Sequence, residues 1–533
     1  MPQMRSRREQ VEAHRFITSR MNQALVLANP DSIERPLRRI GVSIFASVMV
    51  LALIFGGFAI ATLFNKGNAL PEPGAIITIK GSNSVYVYTT KSGGEETEDD
   101  KLRLWQVTNY TSALLLAKPG SNGKPQVQDL KASSLAGIAR GSFTIGIQGI
   151  PTQPPSPEEL LQKQDWNACS IPRRDNGTTS FQLTQLAVMD LEAPDKELSD
   201  DTWMLVKTAV DESQVEAEYY LLWNGAKYGI GDDDRPASKV IDDLGLSVND
   251  AVPLDAAMLR AIPTGPPLAP EIRPEFGETS EEGVTAFDGT PLTYGRPVSE
   301  SDNLYVLVKT ENDGDEFAEI TPTMEALLKT QYGATIEIDP IDRSDIGATA
   351  TYLPPDYPVE YLGKNPWTTD ASRPAVCAVY SEEAQKEGDT SISIAMYEQA
   401  PDELTDAAES VEFTDEGEIF SQVEGMVAQT VLPQGMAVLA DARTDEGGTI
   451  SGFTYMVSDQ GFRHGIIDQG ITDSTQKLLG YDGVDAVSVP DTMISLIPEG
   501  PSLDPYEARK QMAVDADDVP VYETESESPA AGG

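Results

Sequence analysis

The sequence predicts an α+β protein: a single transmembrane helix, then an elongated ectodomain of four small α+β repeat modules around a central β-rich domain. Three observations support this fold class. An uncharged apolar run extends from Ile40 to Phe64, a pattern of about 45 residues recurs along the chain, and the only two cysteines are Cys169 and Cys377. The 533 residues are enough for several hydrophobic cores of ordinary size.

The charge of the chain is strongly negative and unevenly distributed. The net charge is -46, yet residues 1–39 hold eight arginines against four acidic residues, which gives +4 for that segment and -50 for the rest. A surface this negative repels the phosphates of nucleic acid, so we expect no nucleic-acid partner. It is also typical of proteins that stay soluble in salty or acidic surroundings.

The run from Ile40 to Phe64 contains 25 uncharged residues. As a helix it would span roughly 37 Å, enough for a hydrocarbon core of about 30 Å. A cleaved signal peptide is the alternative, but the run is too long for one and begins forty residues into the chain. Three arginines lie just before the run and only Lys66 follows closely, so the N-terminus is predicted to be cytosolic and residues 65–533 extracytoplasmic.

The segment from Val11 to Leu27 has apolar residues at helical spacing, which predicts an amphipathic cytosolic helix. Its apolar stripe contains Phe16, Ile17, Met21 and Leu25. Such a helix can lie on lipid or dock on a partner. The narrow stripe and the acidic residues of the tail favour a protein partner.

Two segments repeat one pattern of strand, tight turn and strand. They run from Tyr220 and from Tyr455, turn at Gly225 and Gly461, and share G-x-[K/R]-[Y/H]-G-I. Each continues through Leu-Gly and Val-Pro to an Ile-Pro-x-Gly-Pro turn, and these turns contain Pro263 and Pro498. Agreement over this length predicts homologous modules.

Two weaker copies begin near Tyr86 and Tyr305. The unequal spacing of the four tyrosines argues against a continuous solenoid and predicts modules around an inserted centre. The predicted division is a cytosolic tail 1–39, the membrane helix 40–64, module 1 at 65–150, a linker and first central part at 151–215, module 2 at 216–275, module 3 at 276–360, a second central part at 361–445, module 4 at 446–512 and a disordered acidic tail at 513–533.

Cys169 and Cys377 both lie in the predicted exported region, where disulfides persist. One internal disulfide is therefore expected, and two buried free thiols are the alternative. A metal site is not expected, because no cysteine or histidine pair is close in sequence and the only histidines are His14 and His464.

The ordered set of motifs resembles the EccB family of actinobacterial type VII (ESX) secretion systems. The resemblance includes R-x-x-V-E-A-H-R-F from Arg8 to Phe16, the single helix, the stretch from Asn109 to Leu116, the Trp-x-x-Cys and Val-Cys pair, and the repeated Ile-Pro-x-Gly-Pro-x-Leu turns. It extends from about residue 5 to residue 510. The acidic insert from Ser92 to Lys101 is longer than the turn usual in the family.

The resemblance implies a structural core subunit of the secretion complex in the inner membrane. Its expected partners are EccC, EccD and EccE, an associated mycosin protease, and other copies of itself through the ectodomain. No cofactor is implied, although some members of the family carry an ATPase label.

Catalytic motifs are not found in the sequence. The segment closest to a phosphate-binding loop, Gly120 to Pro125, lacks the required spacing and has proline in place of the metal-binding hydroxyl. No G-x-S-x-G elbow occurs, and His464 occupies the repeat position that Tyr228 holds, which favours a turn residue over a catalytic base. The alternatives to a structural subunit are an ectodomain that binds cell wall through aromatic clefts, and an ATPase or wall hydrolase.

Overall fold

The computed structural model describes most of the chain in separate ranges. These are residues 7–27, 36–64, 70–120, 123–175, 179–199, 202–209, 217–232, 235–269, 273–309, 314–338, 374–411, 425–444, 450–468 and 474–511. The predicted tail 513–533 and the predicted end of module 3 with the start of the second central part, 339–373, lie outside these ranges.

Two helices come first, α1 (Arg7–Leu27) and α2 (Pro36–Phe64). Pro36 suits the first position of a helix, because its fixed φ is helical and its missing N–H would be unpaired there anyway. The apolar run from Ile40 to Phe64 lies within α2, whose side chains are described for residues 41–57. Across the described ranges, no helix is long and apolar enough to cross a membrane.

The described ranges after α2 contain 22 strands and eight further α-helices. The strands are β1 (Ile76–Ile79), β2 (Val85–Thr89), β3 (Arg103–Val107), β4 (Val127–Leu130), β5 (Trp166–Asp175), β6 (Thr179–Val188), β7 (Lys196–Glu197), β8 (Trp203–Thr208), β9 (Tyr219–Trp223), β10 (Ala226–Ile230), β11 (Val252–Leu254), β12 (Pro297–Glu300), β13 (Asn303–Lys309), β14 (Asp315–Glu319), β15 (Ile336–Glu337), β16 (Ala375–Tyr380), β17 (Ser393–Tyr397), β18 (Gln429–Val431), β19 (Ala437–Arg443), β20 (Ile450–Ser458), β21 (Arg463–Ile466) and β22 (Val487–Pro490). The helices are α3 (Tyr110–Leu116), α4 (Ala237–Asp243), α5 (Ala256–Ala261), α6 (Pro322–Tyr332), α7 (Glu382–Glu387), α8 (Asp402–Glu409), α9 (Thr475–Leu478) and α10 (Asp491–Ile494).

Four sheets of four strands have the same topology. We call each sheet, with the helix before its last strand, a unit: unit 1 is β1–β4 with α3, unit 2 is β8–β11 with α4, unit 3 is β12–β15 with α6, and unit 4 is β19–β22 with α9. In every unit the strand order is third, second, first, fourth, and the fourth strand runs parallel to the first. A parallel neighbour requires a crossover, and the helix of each unit provides it.

The first strands of units 2 and 4 lie before the starts that the sequence predicts for modules 2 and 4. The prediction begins these modules at residues 216 and 446, whereas β8 and β19 begin at Trp203 and Ala437. The repeated sequence pattern depends on the tight turn between the second and third strands. The connection between the first and second strands is longer and has no such turn motif, so the pattern does not indicate the first strand.

The central sheet has six strands in the order β18-β6-β5-β16-β17-β7. Its connectivity has an internal two-fold pattern. The first half of the chain contains unit 1, then β5 and β6, then unit 2, and the second half contains unit 3, then β16 and β17, then unit 4. β5 pairs with β16 at the centre, β7 crosses to pair with β17, and β18 crosses to pair with β6.

Shared hydrophobic cores set the order in which the units pack. α3 of unit 1 contacts α9 of unit 4, and α4 of unit 2 contacts α6 of unit 3. Units 2 and 4 meet through α5 and α10 in one core beneath the central sheet. The packing order is therefore unit 1, unit 4, unit 2 and unit 3, and the central sheet packs on the core that units 2 and 4 share.

Candidate functional site

The apolar stripe predicted on the cytosolic helix lies on α1 and is exposed. Phe16, Ile17, Met21 and Leu25 are 61%, 59%, 63% and 82% exposed. The guanidinium of Arg20 lies 5.1 Å from the centre of the Phe16 ring. A helix in water normally buries its apolar stripe, so this surface is a candidate contact for another molecule.

The predicted turn glycines connect the units to the central part of the fold. Gly225 has φ 69° and follows Asn224 at φ 47°, which is the left-handed pair that a two-residue hairpin turn requires. A Cβ on Gly225 would lie 2.5 Å from the carbonyl oxygen of Ile392, just before β17. The turn at Gly461 (φ 86°) lies beside Thr430 of β18. Each turn thus approaches one side of the central sheet.

Pro263 and Pro498 extend the sheets of units 2 and 4. The N–H of Lys227 donates to the carbonyl of Pro263 (2.9 Å), and the N–H of Arg463 donates to that of Pro498 (3.0 Å). The N–H groups of Gly265 and Gly500 donate back to the carbonyls of Lys227 and Arg463, both at 2.9 Å. The Ile-Pro-x-Gly segment therefore pairs with the third strand of its unit, in parallel.

The glycine of this segment packs against a ring on the third strand. A Cβ on Gly265 would lie 2.6 Å from the Tyr228 ring, and one on Gly500 would lie 2.5 Å from the His464 ring. Unit 1 has the same contact, because a Cβ on Gly141 would lie 2.2 Å from the Trp105 ring. Three units therefore share a contact that only glycine allows.

The basic residue of the repeated G-x-[K/R] pattern caps a helix, a role that the sequence reasoning missed. Lys227 Nζ donates to the carbonyls of Leu259 (2.6 Å) and Ile262 (3.1 Å) at the end of α5. Arg463 Nη1 donates to the carbonyl of Ile494 (3.3 Å) at the end of α10. The sequence did contain a signal for this role. When the two copies are aligned, the third residue of the G-x-[K/R] pattern is basic in both, and a helix follows in each copy.

His464 is a buried core residue. Its Nδ1 bonds to the carbonyl of Pro501 at 2.9 Å, and burial lowers the pKa of the imidazole. Within the described ranges its Nε2 has no hydrogen-bond partner. His464 lies in strand β21, opposite Met456, so the predicted position in a turn is wrong: the turn at Gly461 precedes it, and its ring is covered by Gly500.

Cys169 and Cys377 form a disulfide at the middle of the central sheet. The two residues lie directly opposite each other on β5 and β16, and both are fully buried. The bond therefore joins the two halves of the chain at the centre of the two-fold pattern.

The described residues at the two ends of the segment from Gly120 to Pro125 pair with each other. The N–H of Gly120 donates to the carbonyl of Lys124 (2.8 Å), and Pro119 bridges Pro125. A phosphate-binding loop lies between a strand and the start of a helix. This segment instead comes after α3 and leads into β4.

Two further features bear on ligand binding. A polar cleft of about 450 Å³ lies between the Asn224 turn of unit 2 and the segment that contains Thr390, Ser391 and Ser393. The described residues that line this cleft include no aromatic ring, which a saccharide site usually offers. Among the described residues, no group of three or more histidine, cysteine or acidic side chains could hold a metal ion.

Similar proteins of known family match nearly the whole chain. The family described as type VII secretion system ESX-1, transport TM domain B (EccB), matches residues 4–518. A protein named ESX-3 secretion system ATPase EccB3, from Mycobacterium tuberculosis strain H37Rv, is 25% identical over 532 residues, covering 93% of this chain and 88% of that protein. The ESX-1 secretion system ATPase EccB1 of Mycolicibacterium smegmatis is 26% identical over 52% of each chain.

Solved structures share the fold. A chain of an intact ESX-5 inner membrane complex aligns with a TM-score of 0.59 at 19% identity, covering 96% of this chain and 97% of that one. A chain of the EccB3 dimer from the ESX-3 core complex aligns at 0.53 and 18% identity, covering 82% and 100%. Because the family match extends from residue 4 to residue 518, this chain belongs to the EccB family of type VII secretion proteins.

Proposed function

We propose that this chain is a structural core subunit of an ESX secretion complex in the inner membrane. The observation that carries the proposal is the family match over residues 4–518, and the fold shared with a chain of an ESX-5 inner membrane complex supports it. The interlocked architecture fits this role, because its repeated turns and caps serve packing. EccC, EccD, EccE and a mycosin protease are the partners that the family resemblance implies.

The proposed topology is a single pass through α2, with α1 in the cytosol and residues 65–533 outside. The uncharged run and the arginines before it support this orientation. We also propose that the four units are copies of one module, which their common strand order supports. A single helix cannot conduct a protein, so transport requires partners or further copies of the chain.

The test of complex membership is purification of the tagged full chain in mild detergent, followed by mass spectrometry of the proteins that come with it. Co-purification of EccC, EccD and EccE is the expected result. Ile17→Asp with Met21→Asp should abolish it, because charge on the α1 stripe opposes an apolar contact. Ser19→Asp with Asn22→Asp adds the same charge to the opposite face and should leave it intact. A chain that purifies alone in both variants and in the parent would refute the proposal.

We further propose that the chain does not hydrolyse ATP, although two relatives carry ATPase in their names. The segment from Gly120 to Pro125 follows a helix and leads into a strand, the reverse of the order around a phosphate-binding loop, and the charge of -46 repels nucleotide. Purified chain, free of the motor subunit, should show no phosphate release above buffer. Turnover that disappears on substitution of one named residue would contradict this proposal.

Cell-wall binding is the second candidate function, and the structure gives it less support. The polar cleft beside Asn224 has hydroxyl groups but lacks aromatic rings among its described lining. Sedimentation of the extracytoplasmic part with isolated wall would test it directly.

A further inference from the structure

Residues 503–511, which we call the strap, join unit 4 to unit 1. At the start of the strap, Leu503 forms a parallel bridge to Ile466 of β21 in unit 4. At its end, Gln511 forms an antiparallel bridge to Ile145, which lies beside β3 of unit 1. Between these points, Ala508 is fully buried in the core that units 1 and 4 share. The strap therefore belongs to both units at once.

The strap contacts the acidic insert from Ser92 to Lys101 through the side chain of Arg509. A Cβ on Gly93 would lie 2.1 Å from Cζ of Arg509 and 2.2 Å from each of its Nη atoms. These nearly equal distances place the face of the guanidinium against Gly93. Any side chain at position 93 would exclude the guanidinium from this position, so the contact depends on glycine.

The insert is folded around the carboxylate of Asp100. This carboxylate accepts the N–H groups of Lys91 and Ser92, both at 2.8 Å. The N–H of Asp100 donates to Oγ1 of Thr97, and the N–H of Thr97 donates to the carbonyl of Asp100, both at 3.1 Å. The insert holds five carboxylates against the one charge of Lys101. Repulsion among these carboxylates opposes a compact loop, so a nearby positive group stabilises the fold of the insert.

Arg509 supplies that positive group. Burial lowers the pKa of its guanidinium, and the negative charge of Asp100 acts against this shift. Among the described residues, Nη1 of Arg509 has no hydrogen-bond partner, so the charge of Asp100 compensates a cation that is otherwise costly to bury.

We propose that the strap is a latch, in which Arg509 docks on the acidic insert and keeps it folded. The insert is then ordered only while unit 4 holds the strap against unit 1. Four exposed carboxylates, those of Glu95, Glu96, Glu98 and Asp99, change from a fixed to a mobile arrangement when the strap leaves. This conformational device is independent of the proposed secretory function.

The test is hydrogen exchange of the full chain in detergent, read at the amides of Lys91 and Ser92. In Arg509→Gln these amides should exchange roughly tenfold faster, as expected when local opening becomes easier by about 1.4 kcal/mol. Lys510→Gln is the matched control. It removes the same charge from the next residue, whose side chain is exposed and pairs with Glu507, and should leave the exchange of the insert unchanged.

The coupling should also act in the opposite direction, because an equilibrium link between two segments is reciprocal. Gly93→Ala expels the guanidinium and should speed the exchange of strap residues 508–511. Gly81→Ala is its control, since Gly81 lies in the same unit with a similar φ (82° against 79°) and no atom within 4 Å of an added Cβ. Backbone strain is thus matched, and only the contact with Arg509 differs.

Two outcomes would overturn the latch. The first is unchanged exchange of the insert in Arg509→Gln, or equal effects of Gly93→Ala and Gly81→Ala on the strap. The second is faster exchange of Arg509→Gln throughout β5 and β16 of the central sheet as well, which would indicate general destabilisation. No outcome depends on co-purification of secretion partners, so the latch and the proposed function fail separately.

Discussion

Gly265 packs so closely on Tyr228 that a Cβ on the glycine would lie 2.6 Å from the Cε1 atom of the ring. The same relationship holds between Gly500 and His464. In units 2 and 4 this contact holds the Ile-Pro-x-Gly segment against the third strand. The position therefore needs glycine because a side chain would collide with the ring, and not because the backbone must be flexible.

Gly265→Ala should destabilise the protein, because the added methyl group must displace a buried ring. Overpacking of this kind typically costs about 1–3 kcal/mol. The midpoint of thermal unfolding of the purified chain measures the effect. Gly229→Ala is the matched control. Gly229 lies next to Tyr228 in β10, and no atom lies within 4 Å of a Cβ built on it. Equal midpoints for the two variants would show that the ring moves aside freely.

Stability should fall as the pH drops below about 6.5, in part because of His464. Burial lowers the pKa of this imidazole, so the unfolded chain takes up the proton first and protonation favours unfolding. Above pH 6.5 both states hold a neutral ring, and its contribution is constant.

His464→Gln removes the titrating ring and keeps a donor that can reach the carbonyl of Pro501. Urea unfolding at pH 7 and pH 5 should show a smaller loss of stability for this variant than for the parent. Asp255 acts in the opposite direction, because burial raises the pKa of its carboxyl group. The difference between variant and parent isolates the histidine, and an identical loss in both would exclude it.

Arg235 should stabilise the contact between units 2 and 3. Its guanidinium donates to the Asp243 carboxylate (2.8 Å) and to the carbonyl of Leu327 in α6 (3.0 Å). Arg235→Met would leave the buried carboxylate with only Lys239 and Thr330 among the partners described and should loosen α6. Hydrogen exchange of the α6 amides measures this, and faster exchange confined to unit 3 and α4 is expected. Lys329→Met removes one half-buried ion pair within the same helix, which within the described ranges makes no contact to unit 2, and should leave the exchange of α4 unchanged.

Removal of the disulfide should lower stability substantially. Cys169 and Cys377 are 208 residues apart, and the chain-entropy relation gives roughly 5 kcal/mol for a loop of this length. Cys169→Ala with Cys377→Ala should therefore lower the thermal midpoint, as should reduction of the unfolded parent before refolding. A double variant with the parental midpoint would mean that packing of β5 on β16 alone holds the centre.

The sequence anticipated local features better than long-range ones. The sequence indicated the turn at Gly225 and the Ile-Pro-x-Gly-Pro segments, because hairpin turns and proline have strong local preferences. It also indicated the tyrosines that lie in the second strands of all four units. The strands β8 and β19 were missed, since a first strand is defined by partners far along the chain. The contacts of α3 with α9 and of α4 with α6 were also out of reach, because apolar helix faces do not specify which partner they bury against.

For the candidate site too, local features were predicted from the sequence and long-range contacts were not. The basic position shared by Lys227 and Arg463 was seen as a repeated letter, but its function as a helix cap needs the position of α5 and α10 in space. The cytosolic stripe through Phe16 was readable from periodicity alone, and its contact with a partner stays a prediction.

The position of the disulfide has a consequence for chain cleavage. Units 2 and 3 lie wholly between Cys169 and Cys377. A single cut by a protease anywhere in that stretch would leave both products covalently attached. Such a nicked molecule would migrate as one species without reductant and as two with it, so a protease could cut the connection between units 2 and 3 without separating the two products.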